Sequence, residues 1–239
     1  MSVVIPTLDE EAALPGTIRS CREAGECELV VADGGSADRT LEIARGTADA
    51  VVSAPRGRAL QMNAGAAAAR GGVLLFLHAD TLLPPGGLAD VSAALEDPSV
   101  VGGAFRVELA ASPETSAYVR AALRIAGGGI NLRSRLTRSY TGDQAIFLRA
   151  AAFGEIGGFP RIPLMEDVEL SRRMTRIGKT VLLAPCVRPS GRRWEEWGPA
   201  GTIALMWRLR VAYLCGRSPG WCAERYRGGP ARVSGRRLR

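Results

Sequence analysis

The sequence predicts an α/β fold with a mostly parallel central sheet flanked by helices. Three observations predict it. Short apolar runs alternate with helix-like stretches through the first third of the chain. The runs are continuously apolar, as strands buried on both faces are. Each then ends abruptly in polar or acidic residues, where an open α/β sheet meets its ligand.

The elements follow in order. Val3 to Pro6 is the first strand and Leu14 to Ala24 the helix after it, with Pro15 suited to a first turn. Leu29 to Ala32 is the second strand. Ser36 and Asp38 are N-cap candidates for a helix through Arg45. Ala50 to Ser53 is a short third strand, Ala59 to Arg70 an alanine-rich helix of high propensity, and Val73 to Leu77 the fourth strand. This β-α repetition implies right-handed crossovers. Farther on, Leu88–Leu95 reads as a helix, Gly103–Leu109 as a strand and Thr115–Ala126 as a helix ended by Gly127-Gly128-Gly129. The segment from Gly127 to Ser139 carries Arg133, Arg135 and Arg138 and reads as a mobile loop or lid. Gln144–Leu148 is a strand, Glu166–Ile177 a helix closed by Gly178, and Thr180–Ala184 a strand. No linker divides residues 1–227, which read as one domain. Its parts are residues 1–82, residues 83–197 and a C-terminal helical segment (198–227). Residues 228–239 read as a basic, disordered tail.

Composition narrows the function. The chain of 239 residues carries a net charge of +7, which favours anionic partners such as nucleotide phosphates or an anionic membrane surface. Aromatic residues make up only 5%, which argues against stacking on nucleic acid. Five irregularly spaced cysteines and a single histidine speak against disulfides and zinc and for reduced, cytoplasmic surroundings. The N-terminus runs straight into a strand and carries no signal-peptide pattern. The longest apolar stretch, Gly198 to Cys215, is broken by Arg208 and Arg210. It reads as a helix packed on the core or lying along the inner face of a membrane.

Three neighbouring strands each run into acids. The first leads to Pro6-Thr7-Leu8-Asp9-Glu10-Glu11, the second to Asp33-Gly34-Gly35-Ser36, the fourth to His78-Ala79-Asp80. Like charges held close need a cation or hydrogen-bond donors to share the site. Asp80 suits Mg²⁺ or Mn²⁺, which in turn suit a diphosphate; taken singly, it also reads as a helix cap. No G-x-G-x-x-G follows the first strand and no P-loop occurs, which disfavours dehydrogenases and P-loop NTPases. Glu166 and Asp167 open a helix after Pro163, and a helix N-terminus favours ionised carboxylates. Arg192-Arg193-Trp194 offers guanidinium groups for phosphate and an indole face for a sugar or an apolar acceptor.

These motifs together resemble glycosyltransferase family 2 and its GT-A fold, a Rossmann-like nucleotide-diphospho-sugar transferase fold. Gly57-Arg58-Ala59-Leu60-Gln61-Met62-Asn63-Ala64-Gly65, Gly157-Gly158-Phe159-Pro160 and Met165-Glu166-Asp167-Val168-Glu169-Leu170 fit the same pattern. The chain is most similar to a small bacterial subgroup found beside radical-SAM and selenium-domain proteins. The resemblance implies that Pro6, Thr7 and Glu10 line the uridine and ribose pocket, with Ala79 beside them. It implies that Asp33 holds the base and Arg58 reaches ribose or phosphate. Asp80 fills the last position of the family's D-x-D metal motif, and His78 replaces its first Asp. His78 is then either a metal ligand or neighbour, or a structural histidine. The resemblance makes Asp167 the general base of an inverting displacement, with Glu166 in support. Gln144, Arg192, Arg193 and Trp194 are expected near acceptor or phosphate. The implied partners are a nucleotide-sugar donor, UDP-linked, and an acceptor of unknown identity, with Mn²⁺ or Mg²⁺ as cofactor. Transfer to a polyprenyl phosphate at a membrane surface and sugar nucleotidyl transfer remain alternatives. Oligomeric state is open, a homodimer included.

Overall fold

The computed structural model describes residues 1–112 and 114–230. Eight strands form one sheet: β1 (Ser2–Thr7), β2 (Glu28–Asp33), β3 (Ala50–Ser53), β4 (Val73–Phe76), β5 (Thr81–Leu82), β6 (Val100–Val107), β7 (Ile146–Arg149) and β8 (Lys179–Pro189). Their spatial order is β3-β2-β1-β4-β7-β6-β8-β5. The half from β3 to β4 is parallel, as its crossover helices require. Beyond it, β7 runs antiparallel to both neighbours and β8 parallel to β6. The start of β7 and the ends of β1, β4, β6 and β8 therefore meet at one edge.

The apolar runs alternate sides within the sheet. Val3, Ile5, Val31, Leu75 and Leu77 face one core cluster, with Leu14, Ile18 and Cys21 of α1 (Leu14–Ala24), Ala44 of α2 (Thr40–Thr47), and Leu88 and Val91 of α4 (Gly87–Ala94). Val4, Val30, Leu74 and Phe76 face the other. There they meet Ala59 and Met62 of α3 (Arg58–Ala68), and Leu170 and Met174 of α7 (Glu166–Ile177). Burial of each such large side chain contributes about 1.5–3 kcal/mol, so both faces hold the sheet. Gly65 is needed for the close approach of α3: a Cβ there would lie 2.4 Å from Cγ1 of Val4.

Two expectations need correction. Gly127-Gly128-Gly129 does not end a helix, and Gly127–Ser139 is not a loop. A single helix, α5, runs from Ala117 to Thr137. Each glycine costs about 1 kcal/mol in a helix, but anchors on both sides outweigh it. Leu123 and Ala126 are buried before the glycines. After them, Asn131 accepts from Val107 N at 2.8 Å and donates to Val107 O at 3.0 Å, fastening α5 to β6. α10 (Pro219–Arg227) falls within the expected C-terminal helical segment, whereas β5, α6 (Ala150–Glu155) and α8 (Arg192–Trp197) carry no sequence signal of their own. They are too brief for periodicity to register. The Gly198 stretch is α9 (Pro199–Leu214), which buries Leu205 and Leu209 against α10 and exposes Trp207, Val211 and Leu214. Among the described residues no helix is long and apolar enough to cross a membrane. Of the expected tail, Gly228–Pro230 packs beside Trp197 and Gly201, and residues 231–239 lie outside the described residues.

At the opposite edge of β1 and β2, Glu28 accepts from Ser2 Oγ, from Arg70 N at 2.8 Å and from Arg70 Nε at 2.7 Å. The Ser2 hydrogen bond, then that of Arg70, pulls its carboxyl down to about 2. A carboxyl depressed by folding stabilises the fold above its ordinary value of 4.5 and loses that contribution as pH falls toward 2. The melting temperature of Glu28→Gln should therefore lie below wild type at pH 6, with the gap closing between pH 4.5 and 2. A gap independent of pH would refute this.

Candidate active site

A cavity of about 720 Å³ opens at the sheet edge where those strand ends meet. Pro6 and Thr7 at the end of β1, Glu10 beyond it, His78, Ala79 and Asp80 after β4, and Arg58 at the start of α3 line it. Asp143, Asp167, Arg192, Arg193 and Trp194 line it too.

The acidic loops turn out to serve two purposes. Asp9 accepts from Ala37 N at 2.8 Å and Glu11 from Arg39 N at 3.0 Å, while Glu11 N donates to Asp38 at 3.0 Å. These bonds lock the loop after β1 to the loop after β2. Asp33 is buried off the cavity wall, where it accepts from Gly35 N (2.8 Å), Ser36 N (3.0 Å) and Thr7 Oγ1 (3.3 Å). Burial opposes its charge, yet those bonds hold its carboxyl below the usual range. Only Glu10 and Asp80 of this set face the cavity. Burial, then the nearby charge of Asp80, pushes the Glu10 carboxyl up.

The Asp80 turn is tightly held. Thr17 Oγ1 donates to Ala79 O at 2.7 Å, and Ser190 N donates to Asp80 O at 3.0 Å. Nδ1 of His78 stands 3.1 Å from Oδ1 of Asp143. Burial works against the imidazolium, but Asp143 outweighs it and the His78 pKa is raised. Its Nε2 edge lies against Gly142, where a Cβ would come within 2.5 Å, so both nitrogens turn toward the 141–143 loop. Among the described residues no three His, Cys, Asp or Glu side chains converge into a metal cage. The Asp80 carboxylate at the cavity fits a hard ion that takes its remaining oxygens from a diphosphate and water. It does not fit a protein-only metal centre.

Gln144 does not reach the cavity. It is buried in a 3₁₀ turn (Gly142–Gln144), where its amide donates to Phe105 O at 3.1 Å and accepts from Ser134 Oγ at 2.8 Å and Thr141 N at 3.1 Å. Its polar group therefore shapes the loop that presents Asp143. Asp167 Oδ2 accepts from Gly142 N at 2.8 Å, which fixes the carboxylate at the start of α7. Met165, just before it, and Ala145, just after the 3₁₀ turn, hold left-handed backbone (φ 72° and 46°), uncommon for residues with side chains and frequent near functional sites.

Glu166 turns away from Asp167 and is 2% exposed. Arg58 Nε forms an ion pair with its Oε1 at 2.8 Å, and its Oε2 has no hydrogen-bond partner among the described residues. Burial pushes the Glu166 carboxyl up, while Arg58 pulls against it. Asn63 likewise joins α3 to Phe159, donating to its O at 2.8 Å and accepting from its N at 2.9 Å. The distant motifs are thus bonded to one another. Arg193 packs over Trp197 and Tyr226, 5.5 and 5.1 Å from the ring centroids.

The sequence model of glycosyl transferase family 2 matches residues 2–153. The chain belongs to glycosyl transferase family 2. It is 32% identical over 179 residues to the PGL/p-HBAD biosynthesis glycosyltransferase of Mycobacterium tuberculosis, covering 66% of this chain and 62% of that one. It therefore spans under two thirds of that relative's length. Over 98 residues it is 38% identical to the undecaprenyl-phosphate 4-deoxy-4-formamido-L-arabinose transferase of Pseudomonas aeruginosa, covering 36% of this chain and 29% of that one. Its fold is that of Mycobacterium tuberculosis glucosyl-3-phosphoglycerate synthase, crystallised with Mn²⁺, UDP and glucosyl-3-phosphoglycerate. That match has a TM-score of 0.59 at 19% identity and covers 91% of this chain and 79% of that one. The GT-A architecture is thereby established.

Proposed function

We propose that this transferase moves one sugar, with inversion, from a UDP-linked donor to an acceptor hydroxyl, with Asp167 as base. The observation that carries this reading is that Asp80 and Asp167 line one cavity. Pro6, Thr7, Glu10 and Arg58 line the donor side, and Asp33 holds its floor through Thr7. Bound at Asp80, Mn²⁺ or Mg²⁺ would neutralise the donor's diphosphate. Asp167 takes the acceptor proton as the acceptor oxygen bonds to the anomeric carbon. The bond from that carbon to the diphosphate breaks, and its electron pair leaves with UDP. His78 and Glu166 act by holding Asp143 and Arg58 in place. Arg192 and Arg193 supply positive charge near the phosphates. The UDP and Mn²⁺ complex of the mycobacterial synthase supports the choice of donor and ion. Membership of the radical-SAM-associated bacterial subgroup and a cytoplasmic setting belong to the same reading.

A second reading, transfer to polyprenyl phosphate at the membrane, is favoured by the exposed Trp207, Val211 and Leu214 of α9 and by the Pseudomonas relative.

Calorimetry with UDP, with and without Mn²⁺, tests the donor site. Wild type should bind UDP at least tenfold more tightly with Mn²⁺, and Asp80→Ala should lose that gain, since one charged contact is worth about 1.5–3 kcal/mol. Equal metal dependence in Asp80→Ala would remove Asp80 from the metal's ligands. Failure to bind UDP at all, while another nucleoside diphosphate binds, would change the base.

A further inference from the structure

Arg133 and Arg210 of the cavity form no ion pair among the described residues. Arg133 comes from α5 and Arg210 from α9, and both line the cavity within reach of the charge of Asp167. Arg133 donates from Nη2 to Ser134 Oγ at 3.2 Å and to Gln144 Oε1 at 3.5 Å. Its Nε is buried and has no hydrogen-bond partner among the described residues. Arg210 donates to Ser139 Oγ. All of these acceptors are neutral. Burial, then the charge of Arg210, lowers the Arg133 pKa to about 10, and burial lowers that of Arg210 as well. Two desolvated guanidinium groups side by side are costly unless an anion joins them. Asp167 attracts both, but neither forms an ion pair with it. The nearby wall is apolar, with Ile130, Ile203 and Met206, and it opens past Ile125 and Trp207, which are 73% and 57% exposed.

We infer that Arg133 and Arg210 form a phosphoryl-binding subsite for the acceptor, beside the base and apart from the donor's diphosphate. A guanidinium fork suits phosphate oxygens. The phosphoryl group is a handle that places the attacking oxygen at Asp167. The inference rests on the transferase reading above and adds the acceptor's chemical class to it.

Calorimetry on the full chain tests it, with the donor site saturated by UDP and Mn²⁺ and, in parallel, without them. The probes are glycerol 3-phosphate and farnesyl phosphate. Wild type should bind at least one probe in the presence of UDP. Arg133→Met and Arg210→Met should each weaken that binding about tenfold or more, the loss of one charge-assisted contact. Arg133→Lys, which keeps the charge but not the fork, should fall between. UDP affinity in the same samples should change less than twofold. Binding of both probes would show that a soluble phosphate monoester suffices; binding of farnesyl phosphate alone would assign the phosphate to a lipid. No probe binding beside intact UDP binding would overturn the subsite and leave the donor reading standing. Weakened UDP affinity in the methionine variants would overturn it too, by assigning the pair to the donor. Failure of UDP to bind, with probe binding still lost in the variants, would sink the donor reading alone. Thermal melts of each variant exclude misfolding as the cause.

Discussion

Asp167→Asn is expected to lower kcat by about 10²–10⁴, the contribution of a positioned general base. The substitution keeps size and an oxygen that accepts from Gly142 N, now 2.8 Å away, so the loop and the cavity should persist. Only the ability to take a proton is lost. UDP affinity should therefore stay within twofold of wild type, separating chemistry from donor binding. Steady-state kinetics with a UDP-sugar and calorimetry with UDP measure the two effects. A fall below tenfold in kcat would refute the base. It would point instead to an acceptor oxygen that arrives already ionised, as a phosphate oxygen does, and so to the polyprenyl-phosphate reading.

Arg58→Ala should have the largest effect on stability. It strips the partner from Glu166, whose side chain is 3% exposed while that of Arg58 is 38% exposed. The cost should be about 2–3 kcal/mol, below the ~3–5 kcal/mol of a fully enclosed pair because water reaches the guanidinium. Glu166→Gln in the Arg58→Ala background should restore part of the loss, since a neutral amide tolerates burial better than a lone carboxylate. The pH dependence has a definite sign. Burial already raises the Glu166 carboxyl, and removal of Arg58 raises it further. A carboxyl raised by folding favours the protonated fold, so the variant recovers stability below its ordinary value of 4.5 and loses it as pH rises. Urea denaturation at pH 4 and pH 8 measures this. A loss under about 1 kcal/mol at pH 8 would mean that Glu166 is neutral in the wild-type fold, where one ordinary hydrogen bond is worth that much.

Much of the parallel half of the sheet was legible because it depends on local signals. Val3–Ile5 and Leu29–Ala32 are apolar runs with no other stable placement, and Glu166–Ile177 begins and ends where its acids and Gly178 place it. The placement of Asp80 after a strand and of Asp167 at a helix start follows from the same logic. Their use was less legible. Asp33 and Gln144 carry groups suited to a ligand, yet the fold spends those groups on its own backbone. Nothing in a residue's type distinguishes a carboxylate that meets substrate from one that closes a turn.

The chain alone determined the order of β and α elements, the edge of the sheet where the site lies and the family whose motifs it carries, because burial period and strand-end chemistry are local properties. Only the tertiary structure decided that α5 runs through three glycines, since Asn131 must find Val107 across the fold. It alone brought Arg133 and Arg210 to the cavity that Asp167 lines. Pairings between distant segments are set by which groups remain unsatisfied when the core closes, and no single segment contains that information.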